Sequence, residues 1–446
     1  MPEVSLPWGK QTLKVSLPAN WTVEQVAAPS LKPAEADWPD RIAMALGQPG
    51  TGLPLEKLLV ARRSGRIVLV LEDMTRHSPL GQILPIILRE IRHAKIEDEQ
   101  VEVVFATGMH PPMTARQAGE KLGPECRHLR WRCNPCRDGE AHVSVGQVGK
   151  LDVRIDRGVA GADLRIIISS VSPHLQAGFG GGFKMLLPGC ASLETVRGLH
   201  RLGVARTPVQ LVGTEAARNP MRLALDAAGG LIDEAHGKSF ALQYLLDADD
   251  LPTAVAAGEV MPTQQMLTKQ CSVSCGVLVD SSADVLITNA HPRDFDLWQS
   301  FKSVANTQWA ARRRGVIICF TRCLQGLNGV NPPRWPISAR WTRRLVSWLG
   351  PEALGQLAMR LIPRLSGDAA FFVRLATHTL HRNPVLIVSP HLKETAAQFP
   401  GLDIFADADE AIAAAVAMLG PQPQRVIVFP SGGITFPIPA AGGRRT

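Results

Sequence analysis

RIVLVLEDMTRHSPLGQILPIILREIRHAKIEDEQVEVVFA, residues 66–106, decides the fold. Its two ends, RIVLVL (66–71) and VEVVFA (101–106), are short apolar runs rich in β-branched residues, the pattern of strands buried on both faces. Between them apolar residues recur at helical spacing from about 79 to 94, with Ser78 as the cap and Pro79 at the first position, where a missing N–H costs nothing. Two buried strands joined by a helix form a βαβ unit, which predicts a mainly parallel sheet.

The same grammar extends outward. DLRIIIS (163–169) is a third buried strand, and it delivers the chain into VSPHLQAGFGGGFKMLLPG (171–189). A second series follows: strand DVLITN (284–289), a helix over about 296–313, strands GVIICF (315–320) and PVLIVS (384–389), and a helix over about 408–419. RVIVFP (425–430) is a last strand free to return to either sheet. The expected fold class is therefore α/β: two α/β domains with mainly parallel sheets and the active site in the cleft between them. Residues 1–270 are expected to form an N-terminal α/β domain, with 421–446 a candidate completion of it, and 271–420 a C-terminal α/β domain. Residues 325–365, rich in Pro, Trp and Arg, fit neither series and read as an insertion.

Composition excludes several classes. A chain of 446 residues, 45% apolar and 20% charged, is an ordinary globular protein. No apolar run reaches bilayer-spanning length, and MPEVSLPWGK lacks the basic-then-apolar pattern of a secretory signal, so a cytoplasmic location is expected. Eight cysteines in such a length predict reduced thiols, not a disulfide framework. The net charge of +8 raises nucleic acid as a partner, and RWPISARWTRR (334–344) interleaves arginine with tryptophan. The other basic residues are scattered and no nucleic-acid module is present, so that stretch reads as a solvated helix face. Neither nucleic acid nor a membrane is an expected partner.

Chemistry gathers at the strand ends, where open α/β sheets bind ligands. RIVLVL runs into EDMTRHSP, bringing Asp73 and Arg76; VEVVFA runs into ATGMHPPMT, bringing His110; the third strand ends in SPH, bringing His174. Gly180, Gly181 and Gly182 remove side chains so that backbone N–H groups can approach an anion, and Lys184 offers a positive charge or a nucleophilic amine. A triphosphate loop would need G-K-[ST]; here Phe183 intervenes and Met185 replaces the hydroxyl, which leaves a tight turn as the plain alternative. Two histidines flanking one carbon suit acid–base work on its opposite faces. His200 could ligate a metal, but no companion ligand set accompanies it, and the Cys133/Cys136 pair lacks a second pair for zinc.

GKQTL, DMTRHSP, ATGMHPPMT, SPHLQAGFGGGFKMLLPG, ETVRGLH, NPMR and DLWQSFK, in that order, give the chain a resemblance to the lactate racemase family, whose members use a nickel-pincer nucleotide. The resemblance implies a racemase or epimerase of a 2-hydroxy acid. It implies that Lys184 carries the cofactor covalently as pyridinium-3,5-bisthiocarboxylic acid mononucleotide nickel, with Gly180, Gly181 and Gly182 around its phosphate and His200 on the metal. It further implies that His110 and His174 are the acid/bases, that Arg76, Gln299 and Lys302 hold the substrate beside Trp298, and that Asp73 orients this group. Cofactor-maturation proteins and a small 2-hydroxy acid are the implied partners. Where the family has Arg after the first histidine this chain has Pro111, and the family's N-H-D pattern stands as Asn134, Pro135 and Cys136. These departures imply a substrate other than lactate. An oxidoreductase releasing the 2-keto acid, a non-catalytic cofactor carrier and a nucleoside-triphosphate binder are the competing readings.

Overall fold

The computed structural model describes residues 2–203, 209–327, 338–362, 370–395 and 401–439. The chain forms two compact units: Leu31–Gly203 with Thr214–Ser274, and Met1–Ser30 with Val204–Gly213 and Cys275–Thr446.

In the unit built from Leu31–Gly203 and Thr214–Ser274, six strands lie in the order Pro252–Glu259, Phe240–Leu246, Leu164–Ser170, Ile67–Leu71, Val101–Phe105, Arg130–Cys133. All neighbours are parallel except the pair Phe240–Leu246 and Pro252–Glu259. The lack of polar alternation in RIVLVL has the predicted cause, because Ile67, Leu69 and Leu71 enter one core while Val68 and Val70 enter another on the opposite face. Helix Leu80–His93 covers the first face with Ile83, Leu84, Ile87, Leu88 and Ile91. At about 1.5–3 kcal/mol per fully buried large aliphatic side chain, this face alone supplies a major share of the driving force. Ser78 does not cap that helix; its hydroxyl donates to Glu72 instead. The chain runs from Ile67–Leu71 outward through Val101–Phe105 to Arg130–Cys133, then returns to the other side of Ile67–Leu71 with Leu164–Ser170. That reversal makes the carboxyl end of Ile67–Leu71 a topological switch point, where the adjacent loops diverge and leave a crevice.

The other unit is built on six parallel strands in the order Leu402–Phe405, Val385–Val388, Ala311–Phe320, Ala283–Asn289, Gln424–Phe429, Trp21–Val26. Here the structure departs from the expected boundaries. Trp21–Val26 pairs with Gln424–Phe429, so residues 1–30 belong with the C-terminal series, and Gln424–Phe429 completes that sheet and not the first. The helix expected over 296–313 ends at Thr307, and Ala311–Arg314 begin the following strand, with Arg312 bonded to Asp284 at 2.5 Å. Helices Ala339–Leu349 and Pro351–Leu361 occupy part of the unreadable stretch, and residues 328–337 lie outside the described residues. Both sheets are mainly parallel, as the βαβ pattern requires. All eight cysteines are free thiols. Among the described residues no helix is long and apolar enough to cross a membrane.

Candidate active site

Three adjacent strands, Leu164–Ser170, Ile67–Leu71 and Val101–Phe105, end on one edge of the first sheet, and their loops carry the ionisable groups read from the sequence. Asp73 is buried. One carboxylate oxygen accepts from the Thr75 N–H at 2.9 Å and hydroxyl at 2.6 Å, and the other lies 2.5 Å from Nδ1 of His110. Burial raises the carboxyl pKa, but the charge and hydrogen bond of His110, the Thr75 bond and the Arg76 charge outweigh this and hold it well below the usual carboxylate range. A carboxylate only accepts, so Nδ1 of His110 carries a hydrogen toward Asp73, and in the neutral ring the lone pair is on Nε2. Arg76 donates to Thr75 alone, at 3.0 Å to the hydroxyl and 3.1 Å to the carbonyl; no carboxylate pairs with it among the described residues. Its partial exposure leaves the guanidinium able to grip a carboxylate from solution.

His174 stands in a short hairpin, Pro173–His174 against Gly178–Phe179. Gly178 closes the three-residue loop with φ +75°. Nδ1 of His174 accepts from the N–H groups of Gln176 at 3.3 Å and Ala177 at 3.1 Å.

The glycine run behaves differently from the anion cradle expected of it. The Gly180 N–H donates to the Ser172 carbonyl at 2.7 Å, and the Gly182 N–H donates to the Gln243 side chain at 2.7 Å. Two of the three donors are therefore spent inside the protein. What makes the residues glycine is geometry: Gly181 and Gly182 have φ of +70° and +65°, and a Cβ on Gly181 would lie 2.7 Å from Oε1 of Gln243.

The props of this turn are three side chains to which the sequence reading gave no role, although one of them, Arg222, ends the motif NPMR. Gln243 also donates to the Val260 carbonyl at 3.2 Å, Gln264 donates to the Gly180 carbonyl at 3.2 Å, and buried Arg222 donates to the Phe179 carbonyl. NPMR is explained by this: Asn219 caps helix Pro220–His236 by accepting from the Arg222 N–H at 2.9 Å, and its amide donates to the Gln176 carbonyl at 2.9 Å. A lone glutamine inside the apolar strand FALQYLL was the available signal for Gln243, since a buried amide demands partners.

Lys184 follows the turn in the single-turn helix Gly182–Met185. Its amine is half-buried and donates to no group among the described residues. Burial, then the positive charges of Arg76 and Arg222, bring it down to about 7 against the opposing pull of Asp73 and Glu72. A large neutral fraction at neutral pH makes this amine a competent nucleophile. His200 lies in the last turn of helix Leu193–Leu202, opened by the Ser192 cap, and its carbonyl accepts from Gln176 at 3.3 Å. Among the described residues no three His, Cys, Asp or Glu side chains assemble as a metal-binding group.

Trp298, Gln299 and Lys302 stand on helix Leu297–Thr307 of the other unit, capped by Asp296. Lys302 donates to the buried Gln299 amide oxygen at 2.6 Å, and Trp298 lies against Phe372. Of the departures, Pro111 is exposed, whereas Asn134 is buried, donating to the Ala191 carbonyl at 2.9 Å with its oxygen 3.1 Å from Nε2 of His142. Cys133 accepts from the Met113 N–H at 3.3 Å, and burial pushes its thiol up, which opposes thiolate chemistry.

Residues 8–211 match the family model of the lactate racemase N-terminal domain. A lactate racemase of Thermoanaerobacterium thermosaccharolyticum is 27% identical over 75% of this chain and 78% of its own, and one of Lactiplantibacillus plantarum is 25% identical over 74% and 77%. The fold is that of the lactate racemase apoprotein from T. thermosaccharolyticum, with a TM-score of 0.81 at 21% identity, covering 98% of this chain and all of the other. A protein from Thermotoga maritima shares it at a TM-score of 0.64 and 16% identity, covering 93% of this chain and all of the other. The motifs and the fold thus point the same way: this chain is similar to the lactate racemases, and its residues 8–211 match the model of their N-terminal domain.

Proposed function

We propose that this protein racemises lactate or a related 2-hydroxy acid in the cytoplasm, with a nickel-pincer nucleotide attached to Lys184 by cofactor-maturation partners. The observation that carries the reading is the Lys184 amine: half-buried, lowered to about 7 and without an acceptor among the described residues, beside a turn held rigid by Gln243, Gln264 and Arg222. These features fit a covalently tethered group. His200, on the adjoining helix, would hold the metal through its imidazole, and a metal there would draw its remaining donors from the organic group. When bound, that group supplies a hydride acceptor, which no amino-acid side chain can be.

The chain's own residues supply the rest. Arg76 binds the substrate carboxylate. His110 takes the hydroxyl proton at Nε2, and Asp73 stabilises the resulting imidazolium and fixes the ring orientation. Gln243 and Arg222 hold the glycine turn so that Lys184 is presented in one position. Retention of His110 and its Asp73 partner favours catalysis over a carrier role. Pro111 replaces a cation with an exposed apolar ring, which favours a substrate with a larger or less polar tail than lactate.

The test is protein coexpressed with the maturation enzymes. Intact mass should show an increment and bound nickel, both absent in Lys184→Ala, and His200→Ala should keep the increment but lose most nickel. Each enantiomer of lactate, longer aliphatic, aromatic, dicarboxylic and sugar-derived 2-hydroxy acids is then followed to equilibrium. Interconversion without accumulation of 2-keto acid supports a racemase. Stoichiometric keto acid makes it an oxidoreductase, and an increment that persists in Lys184→Ala refutes the attachment.

A further inference from the structure

ARQAGEKLGPEC turns a lysine inward. On helix Ala115–Cys126 the buried positions are Ala118, Lys121, Leu122, Gly123 and Cys126, so Lys121 shares the core-facing stripe with apolar residues. A buried ammonium costs stability unless its hydrogens find acceptors and its charge finds a partner. Nζ of Lys121 donates to the Arg76 carbonyl and, at 3.5 Å, to that of Ser78. Two glycines allow this reach. A Cβ on Gly123 would lie 2.8 Å from Cα of Gly81, so only bare backbone lets the lysine's helix lie this close to Leu80–His93, the helix that EDMTRHSP enters. Buried Glu72 holds the same loop from its other end. One of its oxygens accepts from the Ser170 N–H at 2.9 Å and hydroxyl at 2.8 Å, at the end of strand Leu164–Ser170, and the other accepts from the Ser78 hydroxyl. Burial lowers the pKa of Lys121, and the charges of Glu72 and Asp73 resist that fall.

We propose that Lys121 and Glu72 are positioning residues: they pin the backbone of residues 72–78 so that the Arg76 guanidinium is offered to a substrate carboxylate in one place. The inference rests on the reading of Arg76 as the group that grips the carboxylate. Glu72 ties the start of the loop to the neighbouring strand, and Lys121 ties its far half to the helix below. The Arg76 side chain then leans on Thr75, at 3.0 Å to the hydroxyl and 3.1 Å to the carbonyl, and the Thr75 hydroxyl donates in turn to Asp73 at 2.6 Å. Paired N–H groups recognise a carboxylate only when their base is fixed, and a shift of about 1 Å can cost about a hundredfold. Without the Lys121 amine, the Arg76 and Ser78 carbonyls lose their buried donor, and the loop relaxes to find another. Asp73 is held separately, by Thr75 and His110, so the disturbance falls on binding and not on the proton at His110.

The experiment separates binding from chemistry and from folding. In protein coexpressed with the maturation enzymes, Lys121→Met should keep the intact-mass increment, raise KM for 2-hydroxy acids about ten- to a hundredfold and leave kcat within about threefold. A lysine that served the fold alone would lower Tm and the active fraction, so that kcat fell and KM stayed; that pattern overturns the proposal. Lys121→Gln, polar and one atom shorter, carries the same expectation should the methionine variant fold poorly. A double-mutant cycle tests the route: on an Arg76→Met background, Lys121→Met should raise KM by less than about twofold more, whereas a full second increment means that Lys121 does not act through Arg76. A last arm needs no turnover. In unloaded protein labelled with ¹⁵N-arginine, the Arg76 Nε–H resonance, assigned by its loss in Arg76→Lys, should move in Lys121→Met while those of Arg132 and Arg165, bonded elsewhere in the fold, stay in place. An unmoved Arg76 resonance overturns the proposal. A moved resonance in a protein whose parent racemises no 2-hydroxy acid overturns the functional reading instead, and leaves the anchoring of Arg76 standing.

Discussion

The two sheets share an architecture and differ in what they place at their carboxyl edges. At the edge of the second sheet a tight ion pair stands out: Arg322 meets Asp294 through two hydrogen bonds of 2.5 and 2.8 Å, with Ser300 and Thr321 hydroxyls bonded to each other beside it at 2.7 Å. At the edge of the first sheet, Arg76 and Lys184 have no carboxylate partner among the described residues, and Arg222 reaches Asp226 only at 3.5 Å. Unpaired cations near buried backbone cost stability, and a fold retains them where a ligand brings the missing charge or bond. The difference supports the proposal that the chemistry lies in the first unit.

The largest expected effect lies at Lys184. Lys184→Met should abolish loading and turnover, measured by intact mass and by chiral chromatography of the products. In the unloaded protein the same change should raise Tm. A lysine titrates near 10.4 when unfolded and this one near 7 when folded, so between those values the unfolded chain binds the proton more strongly and the folded state is penalised as pH falls. The Tm gain should be greatest below about pH 7 and vanish as pH approaches about 10.4. A variant less stable than its parent at pH 6 would break the contrast between the sheets.

Asp73→Asn comes next, with turnover reduced by a factor on the order of a thousand, because the amide no longer holds the His110 tautomer. The carboxyl is held low in the folded state, so it stabilises the fold above its unfolded value near 3.9, and that contribution is lost as pH falls through the folded value. The variant should therefore be less stable than its parent at pH 7, with the gap narrowing below about pH 4, as thermal unfolding across pH will show.

Lys302→Met, in the second unit, should weaken kcat/KM for every 2-hydroxy acid by about 1.5–3 kcal/mol, the size of a lost charged hydrogen bond, with no dependence on the substrate side chain. A loss confined to one substrate would remove Lys302 from carboxylate binding. The smallest effects separate the glycines. Gly182→Ala forces φ +65° on a residue with a side chain and sets its Cβ 2.9 Å from Cγ of Gln264, which should cost about 1–3 kcal/mol by denaturant unfolding. Gly180→Ala, whose Cβ would meet the Ser172 carbonyl at an ordinary 3.5 Å, should be neutral or stabilising by up to about 1 kcal/mol.

Local pattern determined the strands, because a chain buried on both faces has to be apolar at successive positions, as Ile67–Leu71 is throughout and Val101–Phe105 is except at half-buried Glu102. It also determined the order of strand ends, and hence that Asp73, His110 and His174 emerge on one edge. Periodicity faltered where two elements meet without a break, as at Thr307 to Ala311, and at Ser78, a residue with the chemistry of a cap that bonds a buried glutamate instead. Only the tertiary structure decided which sheet takes Trp21–Val26, since strand partners hundreds of residues apart leave no mark on local spacing. It alone decided that the Gly180 and Gly182 amides are spent on Ser172 and Gln243, and that one histidine donates through Nδ1 while the other accepts there. A sequence names donors and acceptors; which of them meet is settled by the packing that brings distant segments within about 3 Å.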